Sequence, residues 1–172
     1  VLADRFREGR VFVVGDAAHR HPPTGGLGLV SAIHDAQNLC WKLALVLRGQ
    51  AGEELLDSYE PERRAVDARN LQRSLENAMG YGVIAAALDF FPERSAADRW
   101  ASLARCLSDA PEDAPFRRTI RNLMAAQSQE FREHDVEYNY AHRSSAVVED
   151  ASPAPELQNL RSYLPSTRPG GP

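Results

Sequence analysis

Two neighbouring strings hold the residues best suited to chemistry. Gly15-Asp16 places a carboxylate directly after a glycine, and His19-x-His21 runs into Pro22-Pro23-Thr24-Gly25-Gly26-Leu27-Gly28. Prolines stiffen such a loop, while glycines let its backbone come close to something flat or charged. From about Leu29 the apolar spacing turns helical, with Val30, Ile33, Leu39, Leu43 and Leu47 on one face. The loop then delivers free backbone N–H groups and the positive end of a helix to one place, a combination that favours anionic or electron-rich ligands. The H-x-H pair invites a metal, but no carboxylate or cysteine stands beside it at ligand spacing. Packing within the loop is the expected role, and no metal site is assigned. His34 and Asp35, one turn into the helix, are expected in solvent or in hydrogen bonds within the protein. No nucleophile elbow, Walker loop or catalytic triad is present, and no catalytic residue is assigned.

The elements around these strings follow from pattern. Val11-Phe12-Val13-Val14 is a short apolar, β-branched run that suits a strand buried on both faces. Asp16 then sits at its C-terminal edge, where open α/β sheets bind their ligands. The helix after the loop stops near Gly49. A second helix is predicted from Glu53 to Met79, with Leu55, Leu56, Tyr59 and Val66 in the core. Glu60 and Arg64 make an i,i+4 pair, and a kink or join is expected at Pro61. Beyond Gly80 the pattern gives a helix over Tyr81 to Phe91, and another starting on Ser95 as N-cap with Trp100 and Leu103 on its apolar face. After a turn-rich break from Ser108 to Pro115, a helix over Phe116 to Arg132 should bury Ile120, Leu123 and Met124. Tyr138, Tyr140 and Ala146-Val147-Val148 suggest an extended segment, with a loop over Glu149 to Pro155 and a linker over Arg161 to Pro172. His134 and His142 are expected at the surface.

The bulk properties narrow the function classes. A length of 172 residues with 43% hydrophobic and 26% charged residues fits an ordinary globular domain. The net charge is −4, and the 20 basic residues are scattered, so there is no nucleic-acid footprint. No run reaches the apolar length of a membrane span, and no signal-peptide pattern precedes the first strand. Cys40 and Cys106 lie far apart and build no disulfide framework, which matches a reducing cytoplasm.

The ordered string Gly15-Asp16-Ala17-Ala18-His19 … Pro22-Pro23-Thr24-Gly25-Gly26-x-Gly28-Leu29 resembles the second FAD-binding motif of the flavin-dependent aromatic hydroxylases, the group of para-hydroxybenzoate and phenol hydroxylases. The continuation, IHDAQNLCWKLALVLRG and LLDSYEPERRAVD, is most similar to the dichlorophenol monooxygenase and polyketide hydroxylase branch. The likeness is strong over residues 9 to 70, with a weaker echo at Val136 to Tyr140. A turn and a cap would account for the glycines taken singly; the whole string does not reduce to that.

The resemblance implies an α/β fold, part of a Rossmann-like FAD/NAD(P)-binding domain that is mostly helical in this stretch. It implies FAD as cofactor, NADPH or NADH as co-substrate, and insertion of oxygen from O2 into a small phenolic or polyketide ring. It allows a homodimer for the full-length enzyme. Asp16 would accept hydrogen bonds from the ribityl hydroxyls, and Pro23 would lie beside the reactive edge of the flavin. Gly15, Gly25 and Gly26 would allow close approach. The backbone N–H groups of Gly28, Leu29 and Val30 would face the charge that builds near the ring's N1 and C2 carbonyl. Where many relatives carry Asn, this chain has Val30, so the N–H contact remains and a side-chain amide contact is lost.

The chain opens on Val1, and the family's G-x-G-x-x-G fingerprint and second early motif lie outside it. The expectation is an internal piece of a larger enzyme that holds FAD poorly alone. Residues 1–79 would complete the FAD-binding domain, 80–160 would form a helical extension, and 161–172 would lead towards a thioredoxin-like domain. Two other readings stay open: a reductase or dehydrogenase of the same fold, and a non-catalytic helical interaction module.

Overall fold

A computed structural model describes residues 1–148, 150–152, 163 and 165–171. The chain divides into two compact units, one made of residues 1–75 and 133–172, the other of residues 76–132. Both are mainly helical.

The first unit begins with a small antiparallel hairpin, β1 (Arg7–Glu8) and β2 (Val11–Phe12), turned by Gly9 at φ +57°. The expected strand buried on both faces is not observed. Pairing stops at Phe12, Val11 is 66% exposed, and Val14 is exposed as well. A β-branched run becomes a central strand only when neighbours flank it, and the described residues supply one short partner. Beyond Val14 the chain enters a 3-10 turn over Gly15–Ala17.

A second 3-10 turn over Thr24–Gly26 leads directly into α1 (Leu27–Leu47). After a 3-10 stretch at Glu53–Ser58, α2 runs unbroken from Tyr59 to Ala87. No kink forms at Pro61, which lies in the first turn of α2, where its missing N–H has no intrahelical partner to lose. The core of this unit is Phe6, Ala18, Leu39 and Tyr59, with Leu2, Phe12, Val13 and Leu43 packed against it. The Tyr59 hydroxyl donates to the Val13 carbonyl at 2.8 Å and ties the extended segment to α2. Leu56 and Val66 are buried as expected, and Leu55 is half-buried. Glu60 accepts from the backbone N–H groups of Phe6 and Arg7, and Arg64 donates to the Ala3 carbonyl.

Between α1 and α2 the buried residues are polar. Besides Glu62 of α2, which takes hydrogen bonds from Asn38 and Lys42, they include Ser31, Asp35, Asn38 and Lys42 on α1, and Arg63, Asp67, Asn70 and Ser74 on α2. Both sets repeat at the alternating four- and three-residue spacing of a heptad seam. Val30, Ile33 and Leu47, expected on the buried face, are exposed. Leu39 and Leu43 of the same expected face do pack in the core beside Tyr59, so the apolar period marks only part of the buried side of α1.

Residues 133–148 contain a short helix over His134–Tyr138, then irregular chain and a turn, so the extended segment expected there is absent. His142 is half-buried near Glu62 rather than at the surface, and its backbone N–H donates to the Gly170 carbonyl at 2.7 Å. Much of the expected loop over 149–155, part of the linker over 161–172, and the side chain of His134 lie outside the described residues.

In the second unit, the stretch expected as a separate helix from Tyr81 is the continuation of α2, which ends at Ala87 ahead of Asp89 at φ +58°. Ser95 caps α3 (Ala96–Leu107), its hydroxyl accepting from the Asp98 N–H at 3.1 Å. Leu103 is half-buried on this helix and Trp100 is exposed. On α4 (Ala114–Gln127) Ile120 is buried and Leu123 half-buried, whereas Met124 is exposed. Among the described residues no helix is long and apolar enough to cross a membrane.

Candidate functional site

The site is assembled where the Gly15–Ala17 turn meets the start of α1. Gly15 is buried at φ +57°, and a Cβ there would stand 3.2 Å from that of Ala32. The position therefore needs glycine twice over, for its left-handed backbone and for contact with α1. The Gly15 N–H donates to Asp35 Oδ2 at 3.0 Å, so a buried carboxylate on α1 fixes the turn. With Gly15 held, the neighbouring Asp16 is exposed and open to hydroxyl donors.

The loop that follows crosses to the helix end. Gly25 and Gly26 take φ of +79° and +66°, and Gly26, the N-cap residue of α1, brings no side chain of its own to cap the helix. Space in front of Gly26 is open, with nothing within 4 Å of where a Cβ would be. Gly28 lies against the loop, since a Cβ there would be 3.8 Å from that of His21. Pro23 is exposed, and Leu29 and Val30 turn their side chains outward. A helix start without a side-chain cap, beside an exposed carboxylate, suits a ligand that is electron-rich at one end and bears hydroxyls at the other. The residues expected to touch a cofactor thus lie on two consecutive pieces of backbone, one fixed by Asp35 and the other resting on His21.

Beneath the turn lies a charged cluster that the pattern of the loop alone does not reveal. His19 Nε2 is 2.6 Å from Asp35 Oδ2, and His19 Nδ1 is 3.0 Å from His21 Nε2. Arg63 donates through Nε to Asp35 Oδ1 at 2.8 Å and through Nη2 to Asp67 Oδ1 at 2.9 Å. His19, Asp35, Arg63 and Asp67 are all at most 1% exposed. Burial works against the charge on Asp35, but hydrogen bonds from His19, Arg63 and the Gly15 N–H outweigh it and hold its carboxyl at about 2. Burial pushes Asp67 up to about 7, only partly offset by Arg63. Burial also opposes charge on His19, yet Asp35 and Asp67 together raise it above its ordinary value.

The expectation that no carboxylate stands near the H-x-H pair is thus corrected. Candidate ligand atoms of His19, Asp35 and Asp67 lie within 4.8 Å of one another. They come from the loop, α1 and α2, separations that local spacing does not show. Arg63 already occupies the place of a cation between the two carboxylates, which makes an ion-pair cluster the better description. The signal that exposes it in the sequence is the polar heptad, Ser31-Asp35-Asn38-Lys42 against Arg63-Asp67-Asn70-Ser74.

The chain is similar to known proteins over its whole length. Residues 1–74 match the family model described as FAD binding domain. Over its whole length the chain is 39% identical to 2,4-dichlorophenol 6-monooxygenase of Cupriavidus pinatubonensis, of which it covers 29%. It is 35% identical over 98% of its length to phenol 2-monooxygenase of a Pseudomonas species, of which it covers 28%. Among solved structures, the flavin-dependent monooxygenase PieE in complex with FAD and substrate superposes with a TM-score of 0.84 at 38% identity. That match covers 99% of this chain and 30% of PieE. The chain therefore spans under a third of the length of these relatives. Mostly helical, with residues 1–74 matching an FAD binding domain, the chain is similar along its whole length to dichlorophenol and phenol monooxygenases and to flavin-dependent PieE.

Proposed function

We propose that this chain supplies one wall of the FAD site in an NAD(P)H-dependent monooxygenase that hydroxylates a phenolic or polyketide aromatic ring with O2. One observation carries the reading. An exposed Asp16, fixed by the buried Gly15 turn, stands next to a helix start without a side-chain cap, in the order of the family's second flavin motif. Asp16 accepts ribityl hydroxyls. Gly25, Gly26 and Gly28 would let a flat cofactor come close to backbone, and Pro23 would stand beside it. The N–H groups of Gly28, Leu29 and Val30 would stabilise negative charge on the bound cofactor. A partly buried helix end contributes up to about 2 kcal/mol to such a charge, enough to bias a redox step. Bound flavin supplies the hydride acceptance and oxygen activation; the residues here bind it, orient it and polarise its surroundings. Residues 1–79 complete the FAD-binding domain in this reading, 80–160 extend it, and 161–172 lead on towards a further domain. The matching relatives support a small aromatic substrate. The whole enzyme works in the cytoplasm as a homodimer in this proposal.

The test is a flavin absorbance spectrum of the chain alone and of the complete protein that carries it, each with Asp16 intact or as Asp16→Ala. We expect yellow protein from the complete form and a loss of FAD affinity of at least about tenfold, about 1.4 kcal/mol, in the variant. NAD(P)H consumption coupled to a hydroxylated phenol separates a monooxygenase from a reductase of the same fold. A folded complete protein without flavin overturns the proposal.

A further inference from the structure

We propose that His19, Asp67 and His21 form a buried site for one exchangeable proton, framed by Asp35 and Arg63, whose occupancy decides which nitrogen of His21 carries hydrogen at the base of the cofactor loop.

Arg63 brings one positive charge to the cluster and the two carboxylates bring two negative ones, all at most 1% exposed. One additional proton makes the cluster neutral. Without it, a net negative charge is left out of contact with water, an arrangement proteins avoid. Asp67 Oδ2 is buried with no hydrogen-bond partner, and it faces His19 Nε2 at 3.6 Å. His19 thus has one carboxylate oxygen in hydrogen bond and a second close by, which makes its ring the seat for that proton.

Geometry then dictates where hydrogen can be. His19 Nε2, 2.6 Å from an ionised oxygen of Asp35, keeps its hydrogen in either state. The proton therefore enters or leaves at His19 Nδ1, the atom 3.0 Å from His21 Nε2. When His19 is neutral, its Nδ1 accepts from the Nε2–H of His21. On uptake, His21 gains a proton on Nδ1, which has no other partner, and passes its Nε2 hydrogen to His19. The new Nδ1–H of His19 then donates back to His21. One proton is gained, one bond reverses direction, and His21 changes tautomer without changing charge. His21 precedes Pro22-Pro23 and rests against Gly28, so the change is delivered to the loop that presents the glycines.

Asp67, whose carboxyl burial pushes up to about 7, holds this one proton jointly with His19, and the other groups facing the cluster leave it to them. Asp35 and His34 come from α1, Tyr59, Arg63 and Asp67 from α2, Asp16 from the turn, and the amino group from Val1. Burial and the neighbouring His19 lower the basicity of His21, which keeps it the neutral partner. Burial raises the Tyr59 phenol, whose hydroxyl is committed to the Val13 carbonyl, so it takes no part.

The bearing of this site on flavin rests on the function proposed above, but its test needs no flavin. In the full chain with 15N-labelled histidine, NMR reads the protonation and tautomer of each ring as pH is varied. We expect His19 to titrate above the ordinary imidazole value of about 6.5, and the His21 tautomer to switch at the same midpoint. Asp67→Asn, which keeps the shape and removes the charge, should lower both midpoints together. A His21 tautomer that stays fixed while His19 titrates overturns the proposal. So does an unchanged His19 midpoint in a folded Asp67→Asn protein; should that variant fail to fold, the coincidence of the two midpoints in the natural chain decides alone. Stoichiometric Mn2+ that broadens the His19 signal would identify a cation site instead and also overturn it. FAD bound to the complete protein with a fixed His21 tautomer sinks this inference only, whereas a working switch in a complete protein that holds no FAD sinks the proposed function only.

Discussion

At the residue scale, Gly15 joins backbone conformation to recognition. At φ +57° an L side chain costs about 1–2 kcal/mol, and the neighbouring Ala32 Cβ at 3.2 Å leaves a new methyl no easy room. Gly15→Ala is expected to lower unfolding stability by at least that amount and to weaken flavin binding in the complete protein, as followed by urea denaturation and flavin fluorescence. The buried cluster makes stability depend on pH in two windows. Asp35 has a folded value of about 2 against an ordinary one of about 4, so its contribution is present above pH 4 and disappears as pH falls towards 2. Asp67 is raised to about 7, so the folded state binds the proton more tightly than the unfolded chain, and stability declines as pH rises from about 4 to about 7. His19, also raised, shares that one proton with Asp67, so the loss continues as pH climbs through its folded value. Denaturation midpoints measured across this range should peak on the acid side of neutrality and fall towards mildly alkaline pH. Of these residues, Gly15 and Asp16 are legible in the sequence, because a turn before a helix requires such types. Asp35 and Arg63 are not, because their partners lie 20 and 28 residues away along the chain.

At the scale of elements, the existence of helices is readable and their faces are not. Capping is local chemistry, so Ser95 identifies the start of α3 without any knowledge of its surroundings. Ser95→Ala should reduce stability by about 1 kcal/mol, seen as a lower thermal midpoint with an unchanged circular dichroism spectrum. Burial is decided by what an element meets. The leucine and isoleucine period of α1 predicts one buried side, yet α2 presents Arg63, Asp67 and Asn70, and α1 answers with Asp35 and Ser31. In the same way, Val11 to Val14 carries the composition of a central strand, and only a flanking sheet would make it one.

For the molecule as a whole, the family is legible because the second flavin motif is a contiguous string, and contiguous strings survive in a short stretch of a long protein. The unit of residues 1–75 and 133–172 holds that motif with its supporting cluster, and residues 76–132 form a helical unit of their own. The polar seam also bears on the order of folding events. Charged groups lose their water before they gain good partners, so close docking of α1 on α2 adds little until Arg63, Asp35 and Asp67 align. That alignment should come after the main barrier, late in the collapse. Substitutions such as Asn70→Ala, which removes the 2.9 Å bond to Ser31, are then expected to speed unfolding while leaving the refolding rate nearly untouched. Stopped-flow measurement of both limbs would reveal it. The consequence is a helix pair whose lifetime, more than its rate of formation, is set by its buried charges.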